Sequence, residues 1–371
     1  MTVSGERDGV FSCGHCRDAG TSRSVDHRYC LAVSINSSAR YNKLVAQSHL
    51  AQSQSNHELM TNNSCACGLE ATIARVAIKC MLLLLGTTSL LAAPPVTPTA
   101  VDVSYGPHEH QIFDLYQPTA GDGPFPVLIW FGGIWLPSKH VPDLNRFRPQ
   151  GIAVIGVETR TMTDAMHDKA TVPVSYVLED AVRVVQFVRL NAAKWNLDVR
   201  RIAVGGGSQG ALPALYVGCV ADQADTSADE PLKRQSSLVT CVAAYRSQPS
   251  IDPQRMQTWV PGVKWGAPAL GVSFEESLKR RDEFLPAIKR WSPESLLHKN
   301  AAPIYFENNW GLTQPPGITE MDYKVHSPAW ALGFQQLAKV AGAECHVKYP
   351  DHPTDGYDDI WNFIVKRLKS P

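Results

Sequence analysis

The sequence predicts an α/β fold, with a mostly parallel central sheet and helices on both faces. Three observations lead there. Continuous apolar runs bounded by glycine recur through residues 96–371, helical periodicity alternates with them, and one strand-to-helix junction is compressed into Gly206-Gly207-Ser208-Gln209-Gly210. Apolar runs without alternation belong to strands buried on both faces, and strands that alternate with helices are joined by right-handed crossovers.

The elements follow in order. Residues 101–105 and 112–116 alternate apolar and polar, as antiparallel strands do, about a turn at Gly106-Pro107. Residues 126–131, ending in Gly132-Gly133, and residues 152–157 are continuous apolar runs and read as buried strands. Val174, Val177, Leu178, Ala181, Val185 and Val188 recur at spacings of three and four, predicting a helix that residues 196–198 close. A short strand at 201–204 leads into the glycine-rich junction and a helix over 211–220, and 238–245 is the next strand. Residues 246–298, with Trp259, Pro261, Trp265 and Trp291, break the rhythm and read as a small cap insertion. Strand 303–306, helix 329–340, strand 344–349 and an amphipathic helix at 360–368 complete the pattern, with no internal repeat.

Composition narrows the function classes. Hydrophobic residues make up 44% of the 371, which excludes a wholly disordered or collagen-like chain. Lys+Arg and Asp+Glu are both 35, so there is no basic field to gather nucleic acid, and no nucleic-acid partner is expected.

The front of the chain differs in kind. Residues 1–72 are rich in Ser, Asn and Gln without periodicity, and read as a disordered leader. Arg75 and Lys79 then precede an apolar run over 81–93 and Pro94-Pro95, the layout of a secretory signal peptide and linker across 73–95. The run is too short to span a bilayer, so no stable membrane span is expected, and the body reads as secreted or periplasmic. A signal so far from residue 1 leads to the expectation that translation starts near Met81 or slightly upstream and that residues 1–72 are not part of the natural protein, the alternative being a genuine disordered leader before an uncleaved anchor. Six of the nine cysteines lie in the first 80 residues. Cys13-Gly14-His15-Cys16 is similar to a redox dithiol, but it lacks a βαβ context and a second ligand pair, so no redox or zinc role is assigned. Cys219, Cys241 and Cys345, an odd number, leave at least one thiol unpaired within the body.

The chemistry centres on Gly206–Gly210, a G-x-S-x-G placed directly between a strand and a helix. A sharp turn there lifts Ser208 above the sheet edge, and glycines at 206 and 210 relieve the crowding. A serine nucleophile needs a base, an acid to orient that base, and donors for an oxyanion. In these features residues 100–371 resemble the α/β-hydrolase family, specifically its esterase/lipase-like carboxylesterases with a glycine-rich oxyanion loop. The resemblance implies a serine hydrolase that cleaves carboxylic esters, small or polymer-linked, through an acyl-enzyme. A prolyl-oligopeptidase-like peptidase and a catalytically inactive binding protein are the alternatives, the former without its propeller.

Site residues carry over position by position. Phe131-Gly132-Gly133-Ile134 stands where the family has His-Gly-Gly-Gly, so the backbone N–H groups of Gly133, Ile134 and Gln209 are the expected oxyanion donors. His352 follows the last strand, where the family places its base; His346 and His326 rank below it. Asp322, three residues before Val325, matches the family's acid ahead of its helix, with Glu307, Glu320 and Asp252 as alternatives. No H-E-x-x-H, EF-hand or Walker pattern occurs, so no metal or cofactor is expected. Trp135, Trp259, Trp265, Trp310 and Trp330 read mainly as core residues, with those in loops and the cap available to line a cleft.

Overall fold

A computed structural model describes residues 96–371 of the protein apart from 265, 266, 351, 355 and 371, within a compact unit Ala93–Pro371. The leader, the signal-like segment and the Cys13–Cys16 motif lie outside the described residues.

Eight strands form one sheet: β1 (Ala100–Ser104), β2 (Ile112–Tyr116), β3 (Phe125–Phe131), β4 (Ala153–Glu158), β5 (Leu197–Gly207), β6 (Cys241–Tyr245), β7 (Ile304–Glu307) and β8 (Cys345–Lys348). Their spatial order is β1-β2-β4-β3-β5-β6-β7-β8. β2 is antiparallel to both neighbours, and every other pairing is parallel. The helices in chain order are α1 (Met162–His167), α2 (Val174–Leu190), α3 (Ala211–Cys219), α4 (Pro253–Trp259), α5 (Phe274–Lys279), α6 (Arg281–Trp291), α7 (Glu320–Val325), α8 (Ala329–Ala341) and α9 (Ile360–Lys369). Among the described residues no helix is long and apolar enough to cross a membrane.

Two boundaries differ from the sequence reading. Residues 197 and 198 open β5 and do not close a helix, because Asn196 turns the chain in the left-handed region at φ 51°, which asparagine tolerates. β6 begins only at Cys241; Thr240 N–H donates to the Ile202 carbonyl and sets that register.

The pleat sorts alternate residues to opposite faces. Val127, Ile129 and Phe131 of β3 join Ile155, Val204, Val242 and Phe306 in a core covered by α2, α3 and α8. Leu128, Trp130, Val154, Ala203 and Tyr305 point the other way, onto Ile360, Phe363, Ile364 and Leu368 of α9. Both faces of β3 and β5 are therefore dry, as their unbroken apolar sequences require. Cys219, Cys241 and Cys345 are free thiols in these cores, and burial pushes all three thiol pKa values up.

The segment between β6 and β7 carries α4, α5 and α6. Ile251, Leu270, Ile288 and Trp291 pack it on Val174, Val177 and Leu178 of α2 and on Leu212 and Tyr216 of α3. A buried carboxyl ties its two ends together. Ser250 Oγ donates to Glu294 Oε1 at 2.6 Å and Ser292 Oγ to Glu294 Oε2 at 2.5 Å, while the same hydroxyls accept from Asp252 and Ile251 N–H.

Burial pushes the Glu294 carboxyl up to about 7 from an ordinary 4.5. Below pH 4.5 the group is protonated whether the chain is folded or not. Between there and about 7 the unfolded chain releases the proton and the folded one keeps it, so stability falls as pH rises, by on the order of 3 kcal/mol. Glu294→Gln removes this titration. In thermal melts the variant is expected to unfold at a higher temperature than wild type at pH 8.5, with the gap closing or reversing at pH 5. An equal gap at both pH values would refute the assignment.

Candidate active site

Ser208 follows the last residue of β5 and begins a 3-10 turn, Ser208–Gly210, that runs into α3. Its φ is +49°, a left-handed conformation that costs a residue with a Cβ about 1 kcal/mol. Sterics fix the residues around it. A Cβ on Gly206 would lie 2.0 Å from the Gly210 carbonyl oxygen, and one on Gly210 would lie 2.3 Å from that of Phe131. Glycine at both positions lets the turn close and sets Ser208 at the carboxyl edge of the parallel strands.

Ser208 Oγ lies 2.8 Å from His326 Nε2. His326 Nδ1 in turn lies 2.9 Å from Asp322 Oδ1 and 3.1 Å from the Asp322 carbonyl oxygen. Both oxygens only accept, so the ring proton sits on Nδ1 and Nε2 presents a lone pair to the serine hydroxyl. Asp322 and His326 come from one short helix. Thr319 Oγ1 accepts from Asp322 N–H at 3.1 Å and starts α7; His326 ends it, donating its N–H to the Asp322 carbonyl. Residues four apart share a helix face, so the helix presents both side chains to Ser208 together.

The expected base, His352, is not in this site. The turn after β8 closes on itself: Tyr349 and His352 bridge by backbone hydrogen bonds, and the His352 ring stacks on Tyr349 at 4.6 Å. No hydrogen bond joins His352 to Ser208 among the described residues, and the histidine in contact with Ser208 Oγ is His326. His346 Nε2 lies 2.8 Å from Glu344 Oε1. Of the alternative acids, Glu307 accepts the Ile360 N–H at the start of α9, and burial raises its pKa. Glu320 is exposed and pairs with Lys324 at 2.6 Å. Asp252 caps α4 and receives two hydrogen bonds from Arg281; burial opposes its ionisation, but these bonds hold it below the ordinary carboxylate range.

The sequence reading missed the polar clamps on α7. Asn308 Nδ2 donates to the His326 carbonyl at 2.6 Å, and Gln248 Nε2 to the Val325 carbonyl at 2.6 Å. Trp310 stands edge-on to the His326 ring at 5.9 Å. Position is the only signal these residues carry: they follow β6 and β7 at the edge where Ser208 follows β5. Trp330 is fully buried, with Trp259 against it, as core.

The expected oxyanion donors divide. Gly133 N–H donates to Ser138 Oγ at 2.9 Å, so a bound oxyanion takes it only by displacing that hydroxyl. Gln209 N–H lies in the first turn of its helix, where the backbone has no carbonyl partner inside the helix. The Ile134 side chain is buried, and its carbonyl accepts the Met162 N–H. A cleft of about 430 Å³ is lined by Gly132, Gly133, His140, Ser208 and Gln209.

Among the described residues one cluster has a donor set suited to a metal: His108, His110 and Asp164, with ligand atoms within 4.8 Å of one another. Helix capping accounts for its acid, since Asp164 Oδ2 accepts from Thr161 N–H and Oγ1–H at the start of α1 and faces His110 Nδ1 at 2.8 Å.

A family model described as BD-FAE matches residues 113–305, from β2 into β7, including Ser208. The match ends before Asp322 and His326. No curated protein matches the chain. A truncated form of carbohydrate esterase from gut microbiota is similar in structure, with a TM-score of 0.55 at 19% identity over 73% of this chain and 96% of that one. A bifunctional GH43-CE from Bacteroides eggerthii gives a TM-score of 0.51 at 19% identity, over 73% of this chain and 38% of that one. At such identities the likeness is one of fold.

The geometry separates the two histidines by experiment. Ser208→Ala and His326→Ala are each expected to lower kcat on p-nitrophenyl acetate by about 10³-fold or more. His352→Ala is expected to stay within a few-fold of wild type. Loss on removing His352, with His326→Ala active, would overturn the arrangement.

Proposed function

The chain belongs to the BD-FAE family and is a serine hydrolase of carboxylic esters; from that premise we propose that Ser208, His326 and Asp322 release acyl groups from carbohydrate. The hydrogen-bonded line from Ser208 through His326 to Asp322 carries the assignment of roles. Ser208 Oγ attacks the acyl carbon as its proton passes to His326 Nε2. Asp322 holds the ring's tautomer and offsets the imidazolium charge. The tetrahedral oxyanion meets the Gln209 N–H and, once Ser138 Oγ is displaced, the Gly133 N–H. His326 then protonates the leaving alcohol, and the acyl-enzyme remains. Water then attacks the acyl carbon as one of its protons passes to His326, the bond from that carbon to Ser208 Oγ breaks with the proton returned from His326 to Oγ, and the acid departs.

The carbohydrate as alcohol is supported by the two structural neighbours, one described as a carbohydrate esterase and the other as a GH43-CE protein. A sugar hydroxyl is a poorer leaving group than a phenol, which makes general-acid delivery by His326 the step that matters. We also propose that the apolar segment over 81–93, behind Arg75 and Lys79, directs export. A reporter fused behind residues 73–95 and recovered outside the cytoplasm is the expected result.

The test of function uses acetylated xylo-oligosaccharides. Wild type is expected to release acetate, and Ser208→Ala to release none above background. Paraoxon is expected to add one diethylphosphoryl group to wild type and none to the variant. Phosphorylation of Ser208 without acetate release from any acetylated sugar would keep the serine hydrolase and remove the carbohydrate.

A further inference from the structure

The turn after β6 mirrors the nucleophile turn. Gly207 pairs with Tyr245 in parallel register, so Ser208 and Arg246 are the next residues of neighbouring strands, one strand spacing of about 4.8 Å apart. Both have φ of 49°, and neither is glycine. Left-handed backbone at a residue with a side chain persists where the surroundings over-determine it, and it clusters at sites of function.

The Arg246 side chain is held and yet unpaired. Its guanidinium lies over the Trp310 ring, 3.6 Å from the centroid, and the same indole stands edge-on to His326. No carboxylate pairs with Arg246 among the described residues, and its Nε is buried without a hydrogen-bond partner. The two residues that follow share this condition: Ser247 Oγ and Gln248 Oε1 are also buried and unpartnered, in side chains 5% and 1% exposed. Gln248 is anchored through its Nε2 on the Val325 carbonyl, so the unpartnered atoms are Arg246 Nε, Ser247 Oγ and Gln248 Oε1, one in each of three successive residues past β6, where buried polar atoms usually find a partner. The indole covers one face of the guanidinium and fixes its plane, leaving the in-plane N–H donors for a planar, two-oxygen acceptor.

We propose that Arg246 forms a carboxylate subsite, so that the preferred substrates are esters bearing a carboxylate near the scissile bond. The proposal rests on the serine-esterase reading. The carboxylate belongs either to the acyl half, as in a dicarboxylic half-ester, or to the alcohol half, as in an acidic sugar. In both cases the guanidinium acts in binding, with the chemistry left to Ser208 and His326.

The test compares each anionic ester with a neutral counterpart. p-Nitrophenyl hemisuccinate against p-nitrophenyl pentanoate probes the acyl half; acetylated galacturonate against acetylated galactose probes the alcohol half. The wild-type kcat/KM ratio, anionic over neutral, is expected to fall about 10- to 100-fold in Arg246→Gln in one of the two pairs, through KM. Arg246→Lys, which keeps charge without the fork, is expected to lie between. The ratio is insensitive to partial misfolding, because both esters of a pair sample the same folded fraction. Equal ratios in wild type and Arg246→Gln in both pairs would overturn the subsite. Should wild type cleave none of the four esters, the esterase reading fails and calorimetry decides the subsite separately. Binding of succinate or galacturonate to wild type that Arg246→Gln abolishes supports it, and no binding to wild type overturns it.

Discussion

The left-handed backbone of Ser208 is the constraint around which this molecule is built. Such a residue stays in place only if releasing it would cost more than the strain it holds. Here it sits directly beyond β5, a strand paired on both sides and buried on both faces. Relaxing Ser208 would shift Gly206 and Gly210, and Gly210 already lies against the Phe131 and Gly132 carbonyls at the end of β3. The neighbouring strand therefore braces the turn from outside. Strain at one residue is held by burial distributed over two central strands.

Asp322 and His326 are mounted by a different principle. No residue of α7 is fully buried, and its apolar anchorage is limited to Val325, which packs against the cluster of Met256, Val260 and Trp330. Polar clamps add the rest: the Thr319 cap at its start, Trp330 Nε1 on the Lys324 carbonyl, Gln248 on Val325 and Asn308 on His326. A helix fixed by a few hydrogen bonds opens at lower free energy than one sealed into a core. Because Asp322 and His326 share that helix, opening removes both from Ser208 together and leaves their own contact intact. Asp322 is about half exposed, so water screens its field, and its contribution lies more in fixing the imidazole tautomer than in charge stabilisation.

The same contrast decides what the sequence could reveal. Buried strands such as β3 and β4 are written as unbroken apolar runs, and sterics write the turn as glycines at 206 and 210, so sheet and nucleophile were legible. α7 has six residues and fully buries none of them, so it is too short for periodicity to register. The usable sign of His326 was its spacing of four from Asp322 behind a capping threonine. Carboxylates ahead of helices misled in the other direction. Glu307 and Asp252 look like catalytic carboxylates, but each accepts N–H groups at a helix start, a task with the same residue preference. The hydroxyl of Ser138 on the Gly133 N–H is a contact between loop positions that no local pattern encodes.

Register, more than loop length, sets the geometry of the site. Ser208, Arg246 and Asn308 each stand directly past the final residue of β5, β6 and β7, and those strands are paired to their last residues: Gly207 with Tyr245, and Tyr245 with Glu307. The Arg246 N–H donates to the Glu307 carbonyl, and the Asn308 N–H to that of Lys348, so the ladder continues past the strands into the turns. Because side chains alternate faces with a period of two, a slip of one residue would turn each of these side chains to the opposite face. The 308–319 stretch can therefore vary in length at little cost to the site, provided that it returns α7 to Asn308 and Gln248. What it cannot alter is the spacing between the nucleophile and the side chains on the strands beside it, which the sheet determines.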